Sequence, residues 1–214
     1  MTWLSRHWGD VWDYASHHVY LAGLPLLLGL LVALPLGWLA RRYRWAYGPL
    51  LVGSSLLYTI PSLALFVILP GILGTSILSD TNVLVAMTVY TVALLVRTVA
   101  DGLGAVPEEV RLAADAMGYT PVRRFFAVDL PLAVPVVAAG LRVAAVSNVS
   151  IVSVAALLGI PQLGMLFTDG FNRSFVDPIV VGIVACVVLA LVFDLVILAA
   201  SRLLTPWLRS RRPA

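Results

Sequence analysis

Residues 107 to 131 read Pro-Glu-Glu-Val-Arg-Leu-Ala-Ala-Asp-Ala-Met-Gly-Tyr-Thr-Pro-Val-Arg-Arg-Phe-Phe-Ala-Val-Asp-Leu-Pro. This is a charged, turn-rich stretch between long apolar runs, and it predicts a helical hairpin. Pro107 stands where a first helical turn tolerates proline, and Glu108 and Glu109 complement the positive end of the helix dipole. Gly118 is placed to take the left-handed conformation that closes such a helix. Thr120 followed by Pro121 restarts a second helix, expected to run until Leu130 meets Pro131.

The flanking runs define the class. Of 214 residues, 61% are hydrophobic and only 12% charged, and the mean hydropathy is +0.99. Such a balance lies outside the soluble globular range and implies an all-α polytopic membrane protein. The length leaves room for about five or six spans of about 20 residues each. Walking the chain predicts spans at about 19–40, 50–69, 83–100, 132–158 and 179–200, with the hairpin between the third and fourth. Residues 1–18 carry Trp3, Trp8, Trp12 and Tyr14 among polar neighbours, a pattern suited to an interfacial helix at headgroup level. A cleaved signal peptide is not expected, because a basic start leading directly into an apolar core is missing. Residues 201–214 form a basic tail.

Arginine placement sets the orientation. With the N-terminus outside, Arg41, Arg42, Arg44, Arg111, Arg123, Arg124, Arg202, Arg209, Arg211 and Arg212 lie inside, against Arg6 and Arg173 outside. That bias puts the hairpin and the C-terminus on the cytoplasmic side. The net charge of +3 therefore reports topology and not nucleic acid, since the arginines sit at or within apolar runs without interleaved aromatic platforms. The lone Cys186 reads as packing material, and His7, His17 and His18 lack the partners of a metal site. The chain has no lysine and so no phosphate-binding Gly-x-x-x-x-Gly-Lys loop; it binds no nucleotide by that route. Serine-histidine, paired-aspartate and His-Glu-x-x-His arrangements are likewise missing from the spans, which excludes the usual intramembrane enzymes.

Polar residues within the spans are few. Arg97 and Asp101 are four apart near the inner end of the third span, spaced to pair and snorkel. Arg142 lies roughly 15 Å in from the start of the fourth span and Asp194 roughly 12 Å in from the end of the fifth. At similar depth they are expected to pair or to line a wet cavity, because an isolated charge there is costly. Ser147, Asn148, Ser150 and Ser153 give the fourth span a polar face open to two readings, pathway lining and helix packing. Gly159 to Gly164 then breaks the helix, and an outer loop with Phe167, Phe171 and Phe175 is expected up to Asp177. Pro61 interrupts the second span, where it frees a carbonyl and permits a kink.

The hairpin resembles the EAA loop of ABC-type importer permeases, whose pattern is Glu-Ala-Ala, three residues, Gly, nine residues, an aliphatic, one residue, then Leu-Pro. Ala113, Ala114, Gly118, Val128, Leu130 and Pro131 match in register, while Leu112 stands where the glutamate is expected. Tyr58 to Leu65, Leu34 to Gly37, Val96 to Gly102 and Ala139 to Arg142 are similar to the glycine betaine, carnitine and choline subgroup of these permeases. The resemblance implies a type I ABC importer permease (MetI-like) fold in the bacterial inner membrane, with the hairpin docking on a cytoplasmic ATPase dimer. It further implies a second permease subunit, identical or homologous, and an extracytoplasmic binding protein that selects the solute. This chain would bind no cofactor; ATP with Mg²⁺ would be used by the ATPase. An apolar Leu112 would still pack in a docking cleft. The rival readings are an amino-acid permease of the same superfamily, for example for methionine, and a secondary transporter or channel subunit.

Overall fold

The computed structural model describes residues 2–207; Arg209, Arg211 and Arg212 of the basic tail lie outside the described residues. Among the described residues the architecture is helical throughout: α1 (Thr2–Arg6), α2 (Trp8–Arg42), α3 (Arg44–Thr59), α4 (Ser62–Leu73), α5 (Asp80–Gly104), α6 (Glu108–Ala116), α7 (Pro121–Arg124), α8 (Leu130–Val152), α9 (Met165–Asn172) and α10 (Val176–Leu204). Four helical stretches are long and apolar enough to cross a membrane, and the bent pair of α3 and α4 makes a fifth.

α5 is the axis of the bundle. It buries residues along most of its length, including Val83, Met87, Tyr90, Leu95, Val99 and Leu103, and α2, α3, α4 and α8 all pack on it. Its seam with α2 is the most extensive in the molecule and depends on small residues. A Cβ at Gly29 would collide with Thr91, and one at Gly37 would collide with Val99. Without a hydrophobic force to press helices together inside lipid, such close approach supplies the dispersion contact that replaces it. At the opposite extreme, α10 fully buries only Pro178, Gly182 and Ile197; Cys186, Leu189 and Phe193 pack half-buried against the bundle, and much of its remaining surface is exposed.

Three expectations need correction. The lead-in is not divided from the first span at residue 18, since after α1 a single helix runs from Trp8 to Arg42. Nothing between Trp8 and Val19 breaks a helix, and Val11 and His18, seven apart, are both buried on its inner face; Trp3, Leu4 and Tyr14 pack with Leu163 and Leu166. The second span is not one helix over 50–69. Ile60 and Pro61 both adopt extended backbone, as proline imposes on its predecessor, and α4 leaves α3 at 100°. The Ile60 carbonyl freed by the break accepts a hydrogen bond from the Tyr90 hydroxyl at 2.5 Å, so the polar group is not abandoned in an apolar medium. Finally, the expected outer loop after Gly159 contains a helix, α9, whose Leu166 and Gly170, four apart, are buried on its inner face.

The glycine seam yields a direct test. Gly37→Ala should destabilise the purified protein by about 1–3 kcal/mol, the usual cost of overpacking, seen as a lower melting temperature in detergent. Gly53→Ala, with open space around it, should leave the melting temperature unchanged or raise it through helix propensity.

The candidate coupling site

The hairpin closes as its residues dictate. Gly118 has φ +79°, its N–H donates to Asp115 O at 2.9 Å, and the Tyr119 N–H donates to Ala114 O at 3.1 Å. Those two bonds constitute a Schellman closure, which satisfies the last carbonyls of α6. Thr120 caps α7 by accepting the Arg123 N–H on its hydroxyl at 3.4 Å, and Pro121 follows in the first turn. The Arg123 guanidinium lies 4.5 Å over the Tyr119 ring and staples the turn.

The expected stop at Pro131 does not occur. α7 continues through a π-helical turn, Phe125–Asp129, directly into α8. Proline offers no N–H to the preceding turn and its ring crowds a carbonyl there; a widened turn is a known way for a helix to absorb such a misfit and continue. The hairpin's second arm and the fourth span are therefore one body.

Asp129 anchors this body. Its side chain is 7% exposed and accepts a hydrogen bond from Arg111 Nε at 3.1 Å. Arg124 Nε lies 3.5 Å from the other carboxylate oxygen, within ion-pair reach though outside hydrogen-bond geometry. Arg111 also donates to the Leu103 carbonyl at the end of α5, and Arg124 pairs with Asp115 at 2.5 Å. One carboxylate thus binds both arms of the hairpin to each other and to the third span. Phe125 adds an apolar root, packing edge-on against Trp38 of α2 with centroids 6.0 Å apart.

Around that anchor the motif residues separate by role. Ala114 is buried against the protein. Leu112 is 60% exposed, and Met117, Val122 and Phe126 are exposed with it. Ala113 and Gly118 also face outward, while Val128, Leu130 and Pro131 are half-buried at the junction with α8.

The intramembrane polar residues lie apart from the hairpin. Arg142 donates to Asp194 in a bidentate pair, Nε to Oδ1 at 2.6 Å and Nη2 to Oδ2 at 2.8 Å, tying α8 to the otherwise loosely covered α10. Asn148 is buried between three helices: its amide donates to Thr91 Oγ1 at 3.0 Å and to Ala22 O at 3.2 Å. Ser147 is half-buried beside it, and Pro61 is exposed at the elbow of α3 and α4. Arg97 and Asp101 are both exposed and form no ion pair among the described residues. Asp129 was not among the candidates, nor was the buried pair of His18 and Gln162, 3.1 Å apart at the far end of the bundle. Only an acidic residue inside the motif's second helix hinted at the first.

A membrane bundle carrying an outward-facing hairpin between its third and fourth spans is the build of an importer permease. The model of the family described as binding-protein-dependent transport system inner membrane component matches residues 26–210, and the chain belongs to that family: it is a permease subunit of an ABC importer, a non-catalytic inner-membrane component. It is 33% identical to the osmoprotectant import permease protein OsmW of Salmonella typhimurium, over 88% of this chain and 89% of that one. It is 27% identical to the glycine betaine/carnitine/choline transport system permease protein OpuCB of Bacillus subtilis, over 96% and 94% respectively. The fold matches a chain of the MetNI methionine ABC transporter in an inward-facing conformation with a TM-score of 0.81 at 19% identity, covering 94% of this chain and 98% of that one.

Two outcomes follow from the geometry. Asp129→Asn removes the carboxylate charge between two half-buried guanidiniums and should cost about 3 kcal/mol, the low end for breaking a buried pair; hydrogen exchange across residues 108–124 should quicken while that of α5 is little changed. Neutralising Arg142 or Asp194 alone should impair the protein, and the exchange Arg142→Asp with Asp194→Arg should restore it. Transport by the double exchange no better than by either single variant would remove the pair from consideration as a joint between α8 and α10.

Proposed function

We propose that this chain forms the translocation pathway for an osmoprotectant of the quaternary ammonium type, such as glycine betaine, carnitine or choline, in an importer powered by a separate cytoplasmic ATPase. The observation that carries the coupling role is the two-sided hairpin: its inner side is locked to α5 and α8 through Asp129, while Leu112, Met117, Val122 and Phe126 face outward and are exposed. An apolar knob set on a rigid base suits insertion into a cleft of a motor subunit. Leu112 in place of the motif glutamate makes that contact by packing instead of by a carboxylate.

The rest of the assembly follows from the same reading. Two permease subunits, identical or homologous, line the pathway, two ATPase subunits close on ATP with Mg²⁺, and the hairpins transmit the closure. This chain binds no cofactor. An extracytoplasmic binding protein selects the solute, with an aromatic cage suited to a quaternary cation. The N-terminus lies outside and the hairpin and C-terminus in the cytoplasm, a reading supported by ten arginines against two and by the positive-inside rule. Arg142, Asp194, Ser147, Asn148 and Pro61 are the intramembrane positions proposed to shape the pathway, by holding its helices or by bordering it. The substrate class is supported by the names of the relatives that match along nearly the whole chain.

The test is reconstitution with the ATPase and the binding protein in proteoliposomes, with labelled glycine betaine and choline outside. Uptake should require ATP and the binding protein and should be competed by other quaternary ammonium solutes. Gly118→Val, which forces a branched residue into a left-handed conformation at about 1–3 kcal/mol, should abolish coupling, whereas Leu112→Glu should be tolerated or improve it. Uptake that persists without ATP, or labelling of an engineered cysteine at Met117 from outside only, would overturn the reading.

A further inference from the structure

A polar cavity of about 110 Å³ opens where the ends of α2 and α5 meet the hairpin, lined by Trp38, Arg41, Arg42, Leu103, Arg111, Arg124 and Asp129. Four guanidiniums therefore surround one carboxylate. Arg111 and Arg124 are committed to Asp129 and Asp115, but Arg41 and Arg42 form no ion pair among the described residues. Arg42 only approaches the Tyr43 ring, at 6.0 Å. Two adjacent uncompensated cations on the wall of a polar cleft call for an anion with several acceptor oxygens, and guanidinium matches phosphate in a bidentate manner.

The surroundings identify the source of that phosphate. Tyr43, Trp45 and Tyr47 are exposed beside the cleft, with Trp45 74% exposed; such amphipathic rings collect at the headgroup level of a bilayer. Leu27 and Leu31 are exposed on α2 and lie on the same helical stripe as Trp38 and Arg42, at spacings of four, seven and four. An apolar strip that ends in an aromatic ring and paired arginines has the profile of a phospholipid, from acyl chain to glycerol to phosphate. A free phosphate ion has no use for the strip.

We propose that this cleft binds the headgroup phosphate of an anionic phospholipid, with Arg41 and Arg42 as its ligands and the acyl chains along Leu27 and Leu31. Because Arg111 and Arg124 enter the same cleft from the hairpin, the bound lipid joins the end of α2 to the hairpin's ion cluster and positions it. The proposal depends on the chain's lying in a bilayer and not on which solute it carries.

Native mass spectrometry of the assembled transporter, equilibrated in detergent with phosphatidylglycerol or phosphatidylcholine, tests it. Phosphatidylglycerol should be retained over phosphatidylcholine by roughly tenfold, the scale expected for two surface arginines. That preference should vanish in Arg41→Gln/Arg42→Gln, return in Arg41→Lys/Arg42→Lys, and survive excess inorganic phosphate. If the double glutamine variant does not assemble, Arg42→Gln alone is read in the same way, since its side chain is exposed. Equal retention of the two lipids, or a preference unchanged in the glutamine variants, would overturn the proposal. Displacement by inorganic phosphate would assign the cleft to a free anion instead. Loss of the ATPase from the glutamine variants with the lipid preference intact would assign it to protein docking. Failure of ATP-driven uptake of quaternary ammonium solutes would leave every one of these outcomes as it stands.

Discussion

One carboxylate holding two guanidiniums is the interaction on which the working end of this protein depends. Asp129 sits on the second arm of the hairpin, Arg111 on the first and Arg124 one turn before it. Beside that ion cluster, the Phe125 ring and the buried Ala114 hold the hairpin to the bundle. The arrangement is costly in principle, because each ion gives up water. It is offset here by saturation of Arg111, which reaches a carboxylate and a helix-end carbonyl together. Rigidity is what a coupling element requires, and a multiply bonded charge cluster provides it where a thin loop has little apolar surface to bury.

Deeper in the bundle the same demand recurs in a different medium. Lipid offers no partner to a stranded polar group, so each one must be met from within. The carbonyl released at Ile60 is met by Tyr90, the amide of Asn148 by Thr91 and Ala22, and the imidazole of His18 by Val149 and Gln162. Each of these bonds joins segments distant in the chain, so satisfying polarity and fixing the packing are one event. α5 supplies a partner to two of the three, consistent with its central position.

The turn chemistry was legible because it is local: Gly118 needs a left-handed backbone, Thr120 a capping hydroxyl and Pro61 an extended predecessor, each stated within a few residues. The common depth of Arg142 and Asp194 followed from counting along two helices, which requires only their rise per residue. The partners of Asp129 and His18 did not follow, since Gln162 and His18 are distant in sequence and meet only through the folded topology. Two proline readings show the limits of punctuation. Pro61 produced a right-angled elbow and not a mild kink, and Pro131 was carried through without a stop because a widened turn preceded it. A proline says that the α-helical pattern is disturbed; packing decides whether the chain turns or continues.

The join at Phe125–Asp129 has a mechanical consequence. On one side the hairpin joins α5 through the short link Ala105, Val106 and Pro107, and on the other it is continuous with α8. A load applied at its tip is therefore delivered to a two-pronged fork whose prongs are cross-tied at mid-depth by Thr91 and Asn148. Such a fork cannot splay without breaking that tie, so it swings as a unit. The Arg142 clasp then drags α10 along, and the elbow of α3 and α4 is carried with the fork by the packing of Phe66 and Leu69 against α5 and by the Tyr90 hydroxyl.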